Sequence, residues 1–326
     1  MIDWKRLALL GGLSLLLILM IRGCVFACSA PEIKPGEKNT PIKLEGTAND
    51  RQIDVYLHEQ DRRVAMGLED YLVGVVAAEM PSSFHEQALC AQAVAARTYT
   101  LRTMENGGCK SGADICSDSK CCQAYDSDEA CRKKWNNGYA SNIEKVRQCV
   151  YQTAGEALYY DGELIEALYH AASGGYTEDS ENVFAGTKPY LRSVKSQNET
   201  GSSYITDEKR MSKKDFVKAV NAAFKNAGLK TATLKEQVKT SETYSTGRVK
   251  TIQLGGATAT GREFRAALEL RSAWFTIEYK WDDVIIKTKG YGHGVGMSQT
   301  GANGMAQEGA DYKEILAHYY TDTNLY

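Results

Sequence analysis

A carboxylate stands out of place in "LEDYLVGVVAAEMP", Leu68 to Pro81. Leu68, Tyr71, Leu72, Val75 and Val76 recur at the spacing of one apolar helix face. Glu79 takes the next position on that face. A carboxyl group there loses water, and desolvation raises its pKa. A carboxylic acid that keeps its proton near neutrality is a general acid. The competing interpretation is a structural glutamate paired with a cation such as Arg97, which would lower the pKa instead. Two glycine-bracketed histidines are further candidates. In "GYGHGVGMSQ", Gly290 to Gln299, the sparse side chains would let the backbone approach a ligand closely, with His293, Ser298 and Gln299 offering polar groups. "YHAASGG", Tyr169 to Gly175, sets His170 and Ser173 before two glycines. Both stretches could equally be tight structural turns. A serine hydrolase is disfavoured, because there is no G-x-S-x-G elbow.

Cysteines make the fourth constellation. Cys109, Cys116, Cys121 and Cys122 crowd into "CKSGADICSDSKCC". A loop of small and polar residues cannot hold itself by packing, and four thiolates could fix it around a structural zinc. Disulfides are the alternative in a translocated segment. The chain has nine cysteines; setting aside Cys24 and Cys28 leaves seven, so full pairing would strand one thiol. No H-E-x-x-H is present, which disfavours a zinc peptidase.

The elements that must position these groups are legible in part. "IDVYLHEQDRRVAMGL" alternates about a polar turn and predicts a hairpin. The Glu79 helix follows and stops at Pro81. "SFHE" at 83–86 has the form of a capping box opening a helix to about Met104, whose alanines suit close packing. Residues 106–149 are polar and without clear period. "ALYYDGELIEALYH" predicts a hairpin turning at Asp161–Gly162, its second strand delivering His170. "SKKD", "TGRE" and "DYKE" open helices at 212, 260 and 311. "AWFTIEYKWDDVIIKTK" is another hairpin. Helices and strands mix without regular alternation, which predicts an α+β fold around a substrate cleft.

The first residues differ from the rest. Lys5 and Arg6 precede fifteen uncharged residues, Leu7 to Ile21, and Arg22 follows. This predicts a membrane anchor or a cleaved signal over 1–28, a linker over 29–48 and one catalytic domain over 49–326 with a Cys-rich loop at 106–131. Either N-terminal alternative places the domain outside the cytoplasm. Net charge is −2 with no large basic block, so a nucleic-acid partner is not favoured.

Three stretches together resemble one family. "EDYLVGVVAAEMPSSFHEQALCAQAVAARTYTL", "LYHAASGGYTEDSENVFAGTKPYLRSV" and "GYGHGVGMSQTGANGMAQEGADYKEILAHYYTDTNL" are similar to the signature blocks of stage II sporulation protein D, in that family's order. The family is related to amidase enhancers. The resemblance implies a membrane-anchored lytic transglycosylase facing the space between mother cell and forespore. It would cut peptidoglycan glycan strands lacking stem peptides during engulfment, alongside stage II sporulation proteins P and M. It implies Glu79 as the catalytic acid. The substrate-binding candidates are Arg97, Tyr99, Gln123, His170, Ser173, Gly174, Gly175, His293, Gly294, Met297, Ser298 and Gln299. Some members bind zinc through a His–Cys set after the "AARTY" helix; here Cys109, Cys116, Cys121 and Cys122 stand in the corresponding places, a departure that keeps four ligands. The alternative function is a non-catalytic, wall-binding enhancer of a partner amidase.

Overall fold

Alternation in the first strands buries one face. In β1 (Gln52–Leu57), Ile53, Val55 and Leu57 point inward; in β2 (Arg62–Gly67), Val64 and Met66 answer them across an antiparallel register pairing Val55 with Val64. The structure, a computed structural model, describes residues 51–196, 199 and 205–326. The predicted anchor and linker lie outside the described residues. Among the described residues no helix is long and apolar enough to cross a membrane.

Helix α1 (Leu68–Glu79) buries the whole predicted stripe from Leu68 to Val76. It ends where Met80 turns extended, as a residue before proline must. Helix α2 (Glu86–Glu105) runs through the centre of the larger core. Its Ala88, Ala91, Ala93, Ala95 and Ala96 are fully buried, and the small side chains admit α1 and the later helices at close range. The cap differs from the expected box. His85, not Ser83, caps α2, its Nδ1 accepting from the Gln87 N–H at 3.3 Å. The Phe84 N–H bonds back to the Pro81 carbonyl, so Ser83 is spent inside a turn.

The Cys-rich segment adds β3 (Ile115–Cys116), parallel to β1. It is followed by two helices that the polar sequence concealed, α3 (Asp128–Trp135) and α4 (Tyr139–Gln152). Next, β4 (Leu158–Tyr160) and β5 (Glu163–Leu164) form the hairpin at Asp161–Gly162, where both residues have positive φ, 50° and 82°. The hairpin is shorter than expected. His170 sits instead on a separate strand, β6 (Tyr169–His170). A single turn, α5 (Ser180–Val183), closes this half.

Residues 206–289 contribute a second core. Strand β7 (Thr206–Ser212) leads into α6 (Lys213–Ala223), capped by Ser212 as "SKKD" predicted. A short α7 (Leu234–Gln237) precedes a meander that the sequence did not reveal: β8 (Val238–Thr243), β9 (Val249–Leu254) and β10 (Ala257–Thr260). Thr260 and Glu263 make the expected capping box on α8 (Gly261–Ala267). The hairpin β11 (Phe275–Lys280) and β12 (Asp283–Lys289) pairs with β7. Phe216, Ile252, Phe264, Phe275 and Ile286 fill this core. The chain then returns to the first core through β13 (Met297–Ser298), α9 (Gln299–Gln307), α10 (Tyr312–Tyr319), which carries the Asp311–Glu314 box, and β14 (Asn324–Leu325). Mixed helices and strands of this kind constitute an α+β fold. The described residues form one compact unit around these two cores.

An ion pair lies inside the larger core. The Arg97 guanidinium is fully buried on α2 and donates to both Glu69 oxygens, through Nε at 2.9 Å and Nη2 at 2.5 Å. It also donates to the Glu156 and Val150 carbonyls, tying α1, α2 and α4 together. Replacing Arg97 with Leu strands the Glu69 carboxylate in the core and should cost about 3–5 kcal/mol of stability in urea unfolding. Restoring neutrality with Glu69→Gln in the same chain should recover part of the loss.

Candidate active site

The last turn of α1 opens onto a cavity of about 340 Å³. Glu79 lines it with Pro81, Phe84, His170, Tyr291 and Gln299, and is the one carboxylate in the lining among the described residues. The α1 end, the β6 segment and the "GYGHGVG" segment therefore converge here, as the three motif blocks suggested. Glu79 Oε1 accepts a hydrogen bond from the Ala124 N–H at 2.8 Å. Burial raises its pKa above the ordinary carboxyl value; the Ala124 N–H and the Gln299 side chain oppose that rise, and the Asp126 charge adds to it.

Ala124 is held in place from several sides. Its neighbour Gln123 is buried, donating to Thr100 Oγ1 at 3.0 Å and accepting from the Tyr169 hydroxyl at 2.8 Å. Tyr125 stacks on Tyr71 with ring centroids 5.5 Å apart, and the Asp126 N–H bonds to the Gly74 carbonyl. Gly74 is required by this docking: a Cβ there would meet the Tyr125 ring at 2.3 Å. Residues 123–126 are thus laid along α1 so that one backbone N–H reaches the acid. This supporting role of Ala124 and Tyr169 carried no motif in the sequence.

The two histidine rings lie 5.5 Å apart between centroids, tilted by 56°, and burial disfavours the charged form of both. Burial, then the neighbouring His293 and Arg248, hold the His170 pKa well below the usual imidazole value. His170 Nδ1 lies 3.2 Å from the Val295 carbonyl and must donate to it. Nε2 is then a lone-pair acceptor, buried and without a hydrogen-bond partner among the described residues, on a residue lining the Glu79 cavity. His293 Nδ1 accepts from the Val295 N–H at 3.1 Å. Burial and the Arg265 charge bring the His293 pKa down to about 4.

Several of the glycines serve close packing of the chain on itself, and Gly292 also lines the acid's cavity. A Cβ on Gly292 would strike His170 Cβ at 2.7 Å, and one on Gly294 would strike the Arg248 guanidinium at 2.6 Å. They let the "GYGHGVG" segment lie against the β6 segment, with β13 running parallel to β6. Gly174 is likewise pressed against Gly290, whereas Gly175 faces open space.

Several expected binding residues are structural in position. Arg97 is occupied by Glu69, away from the cavity. Tyr99 is half-buried; burial and the neighbouring Cys122 and Cys121 push its pKa up to about 12, which places it beside the cysteine loop. Met297 is a core residue. Ser173 and Ser298 are fully buried. Ser173 Oγ accepts from Gly175, while Ser298 caps α9 and bonds Glu199, which also takes the Ser173 and Gly174 N–H groups. Gln123 acts through the Ala124 loop rather than by contact. His170 and Gln299 do line the acid's cavity, and His293 backs His170.

Three of the four loop thiols converge. The sulfurs of Cys109, Cys116 and Cys122 all lie within 4.8 Å of one another. Zinc–sulfur bonds of about 2.3 Å imply sulfurs about 3.8 Å apart in a tetrahedron. The observed 3.3 Å between Cys116 and Cys122 is near that value. Cys121 stands outside the triplet, its sulfur 3.9 Å from that of Cys122, close enough to supply a fourth ligand by a small side-chain movement. The residues fit a structural metal, and none of the described cysteines is in a disulfide.

A family model described as stage II sporulation protein matches residues 56–160, spanning the Glu79 helix and the cysteine loop. Stage II sporulation protein D of Bacillus subtilis (strain 168) is 34% identical over 299 residues, 91% of this chain and 84% of the relative. The chain belongs to the stage II sporulation protein D family. The Bacillus amyloliquefaciens member is 37% identical over 260 residues, 79% of this chain and 74% of that one. The family's link to amidase enhancers is visible too: the Bacillus subtilis (strain 168) amidase enhancer is 31% identical over 303 residues, 78% of this chain and 40% of its own length.

The raised pKa of Glu79 has a signed consequence. Its folded pKa exceeds the unfolded value of about 4.3, so ionisation costs stability as pH rises through the folded pKa. Glu79→Gln keeps the oxygen that accepts from Ala124 and removes the charge. The variant should melt at the same temperature as the parent at pH below the carboxyl range and above it near neutrality. Equal melting temperatures at every pH would show that the carboxyl carries no desolvation penalty.

Proposed function

We propose that the chain is a lytic transglycosylase that cuts the bond between MurNAc and GlcNAc in peptidoglycan strands lacking stem peptides. The observation that carries this reading is the single half-buried carboxyl, pKa raised, in the lining of the motif-built cavity. Hydrolysing glycosidases pair two carboxyl groups across the bond, one of them serving water or forming a covalent intermediate. One carboxyl suffices when the substrate supplies its own nucleophile. Glu79 gives its proton to the glycosidic oxygen as the C1–O bond breaks and GlcNAc departs with a new hydroxyl. The resulting carboxylate takes the proton from the MurNAc C6 hydroxyl. That oxygen bonds to C1 and closes a 1,6-anhydro ring, so Glu79 ends protonated and no water is consumed. His170 Nε2, fixed as an acceptor, is suited to receive a sugar hydroxyl, and Gln299 steadies the acid.

Membership of the family supports a role in sporulation, and we propose septal wall removal during engulfment, with stage II sporulation proteins P and M as partners. The chain would be tethered by residues 1–28 with its domain in the space between the two membranes. The cysteine loop would hold a structural zinc ion through Cys109, Cys116 and Cys122, with Cys121 completing the set. That ion would stiffen the segment whose next residues, Gln123 and Ala124, hold Glu79. Similarity to the amidase enhancer favours a second reading, wall binding without cleavage.

Two experiments test these proposals. Amidase-treated peptidoglycan incubated with the protein should release fragments ending in anhydro-MurNAc, and Glu79→Gln should lower the rate by at least about 10²-fold. Reducing MurNAc ends would overturn the mechanism; glycan binding without fragments would favour the enhancer. Stripping metal with a thiol-competing chelator should release about one zinc per chain and lower cleavage, with restoration by zinc alone. A protein that contains no zinc as purified would refute the metal assignment.

A further inference from the structure

A second cavity, of about 600 Å³, lies behind His293. It is bounded by residues 178–184 on one side and by β9 and α8 on the other, and three guanidinium groups reach its wall: Arg248, Arg262 and Arg265. Arg248 is buried, donates Nη2 to the Ser173 carbonyl at 2.9 Å, and keeps Nη1 without a hydrogen-bond partner, 3.8 Å from a Glu178 oxygen. Arg265 spends Nε on the Leu270 carbonyl, and Arg262 gives Nη1 to the Val183 carbonyl. Neither Arg262 nor Arg265 has a carboxylate partner among the described residues.

Among the described residues, the acids in the same wall pair with neither Arg262 nor Arg265. Glu178 faces Arg248 and accepts from the Thr246 hydroxyl, the Asp179 N–H and Asn182. Glu181 is held by Arg192 on the far side, and Glu263 by the α8 capping box. Two guanidinium groups therefore face the cavity with donor groups to spare. His293 registers the field: after burial, Arg265 is the strongest influence lowering its pKa, and Arg248 and Arg262 add to it. Arg248 also approaches the Trp274 face at 5.6 Å, which fixes it further.

We infer that this arginine-lined cavity is a subsite for a carboxylate carried by the sugar strand, the free lactyl carboxylate of a MurNAc residue from which the peptide has been removed. The inference rests on the glycan reading proposed above. Such a strand is neutral along its sugar backbone, and the lactyl ether is the anionic group each MurNAc offers. When a stem peptide is attached, that carboxyl is an amide and carries no charge. Guanidinium forks match a carboxylate and discriminate against an amide, which leaves them unpaired. The neighbouring rings of His170 and His293 lie between the two cavities, His170 lining the acid's side and His293 the arginine side. One strand could thus present a glycosidic bond to Glu79 and a neighbouring lactyl group to the arginines.

The test measures binding by calorimetry with the full chain in detergent, carrying Glu79→Gln so that ligand is not consumed. The ligands are a peptide-free MurNAc–GlcNAc tetrasaccharide, the same with its lactyl carboxyls converted to primary amides, a peptide-bearing tetrasaccharide, and chitotetraose. The free acid should bind about tenfold tighter than the amide. Adding Arg262→Gln and Arg265→Gln should reduce that ratio to near one, leaving chitotetraose affinity unchanged in a chain shown by circular dichroism to be folded. Equal affinity for acid and amide, or a ratio that survives the double substitution, overturns the inference while the glycan reading stands. A peptide-bearing ligand that binds as tightly as the acid, and loses affinity with the arginines, overturns it in favour of a stem-peptide carboxylate. Failure to bind any of the four removes the glycan reading and this inference with it.

Discussion

A carboxyl group that must be short of water and still reachable sets the terms for the rest of this protein. Glu79 meets the first condition by closing an apolar helix. Its position at the C-terminal end, where the helix dipole presents partial negative charge and no basic residue lies in the last turn, disfavours ionisation further. It meets the second by standing at the lip of a cavity instead of inside the core. The one backbone donor aimed at it, from Ala124, steadies its position without cancelling the effect of burial. Two or three such donors would pull the pKa well down and give an inert structural carboxylate.

Much of the surrounding architecture makes that arrangement rigid. The loop carrying Ala124 cannot fold on its own apolar content. It is held at one end by β3 pairing to β1 and by the thiol cluster, and at the other by Tyr125 on Tyr71 and by the close approach that Gly74 permits. The opposite wall is built by backbone meeting backbone. The β6 and β13 segments run parallel with little side-chain bulk between them, which brings His170 into the cavity wall and sets His293 directly behind it. Arg97 and Glu69 serve the same end from within the core, by locking α1 to the helices that surround it.

What could be seen in the sequence was local. Helix α1, the boxes at Thr260 and Asp311, the Ser212 cap and the Asp161–Gly162 turn each depend on contacts within a few residues, and each is present. Helices α3 and α4 escaped notice because their buried stripes are thin: α3 buries Cys131, and α4 buries Val146, Cys149 and Val150. Strand β8 exposes all but its first residue, so no alternation marked it. The site was legible in its motifs but not in its roles. Whether Arg97 would meet Glu79 or Glu69 depends on which faces of α1 and α2 come together. Whether glycine makes room for ligand or for protein depends on a neighbour far away in sequence, as Arg248 is from Gly294.

The two cores divide the work along the same line. Glu79, the cysteine loop and His170 belong with the first core, which in the proposed mechanism holds the atoms that handle a proton. Arg262 and Arg265 come from α8 and Arg248 immediately precedes β9, elements attached to the second core. A guanidinium group close to Glu79 would stabilise its ionised form and remove the acid that the chemistry needs. In the proposed mechanism fixed positive charge serves this site only at a distance, and the two neighbouring imidazoles lie between. Burial is the chief cause of their low pKa values, and the mechanism benefits from it. A protonated histidine there would carry the cationic field up to the acid and lower its pKa. The separation of proton handling from charge recognition thus follows from the needs of one carboxyl group.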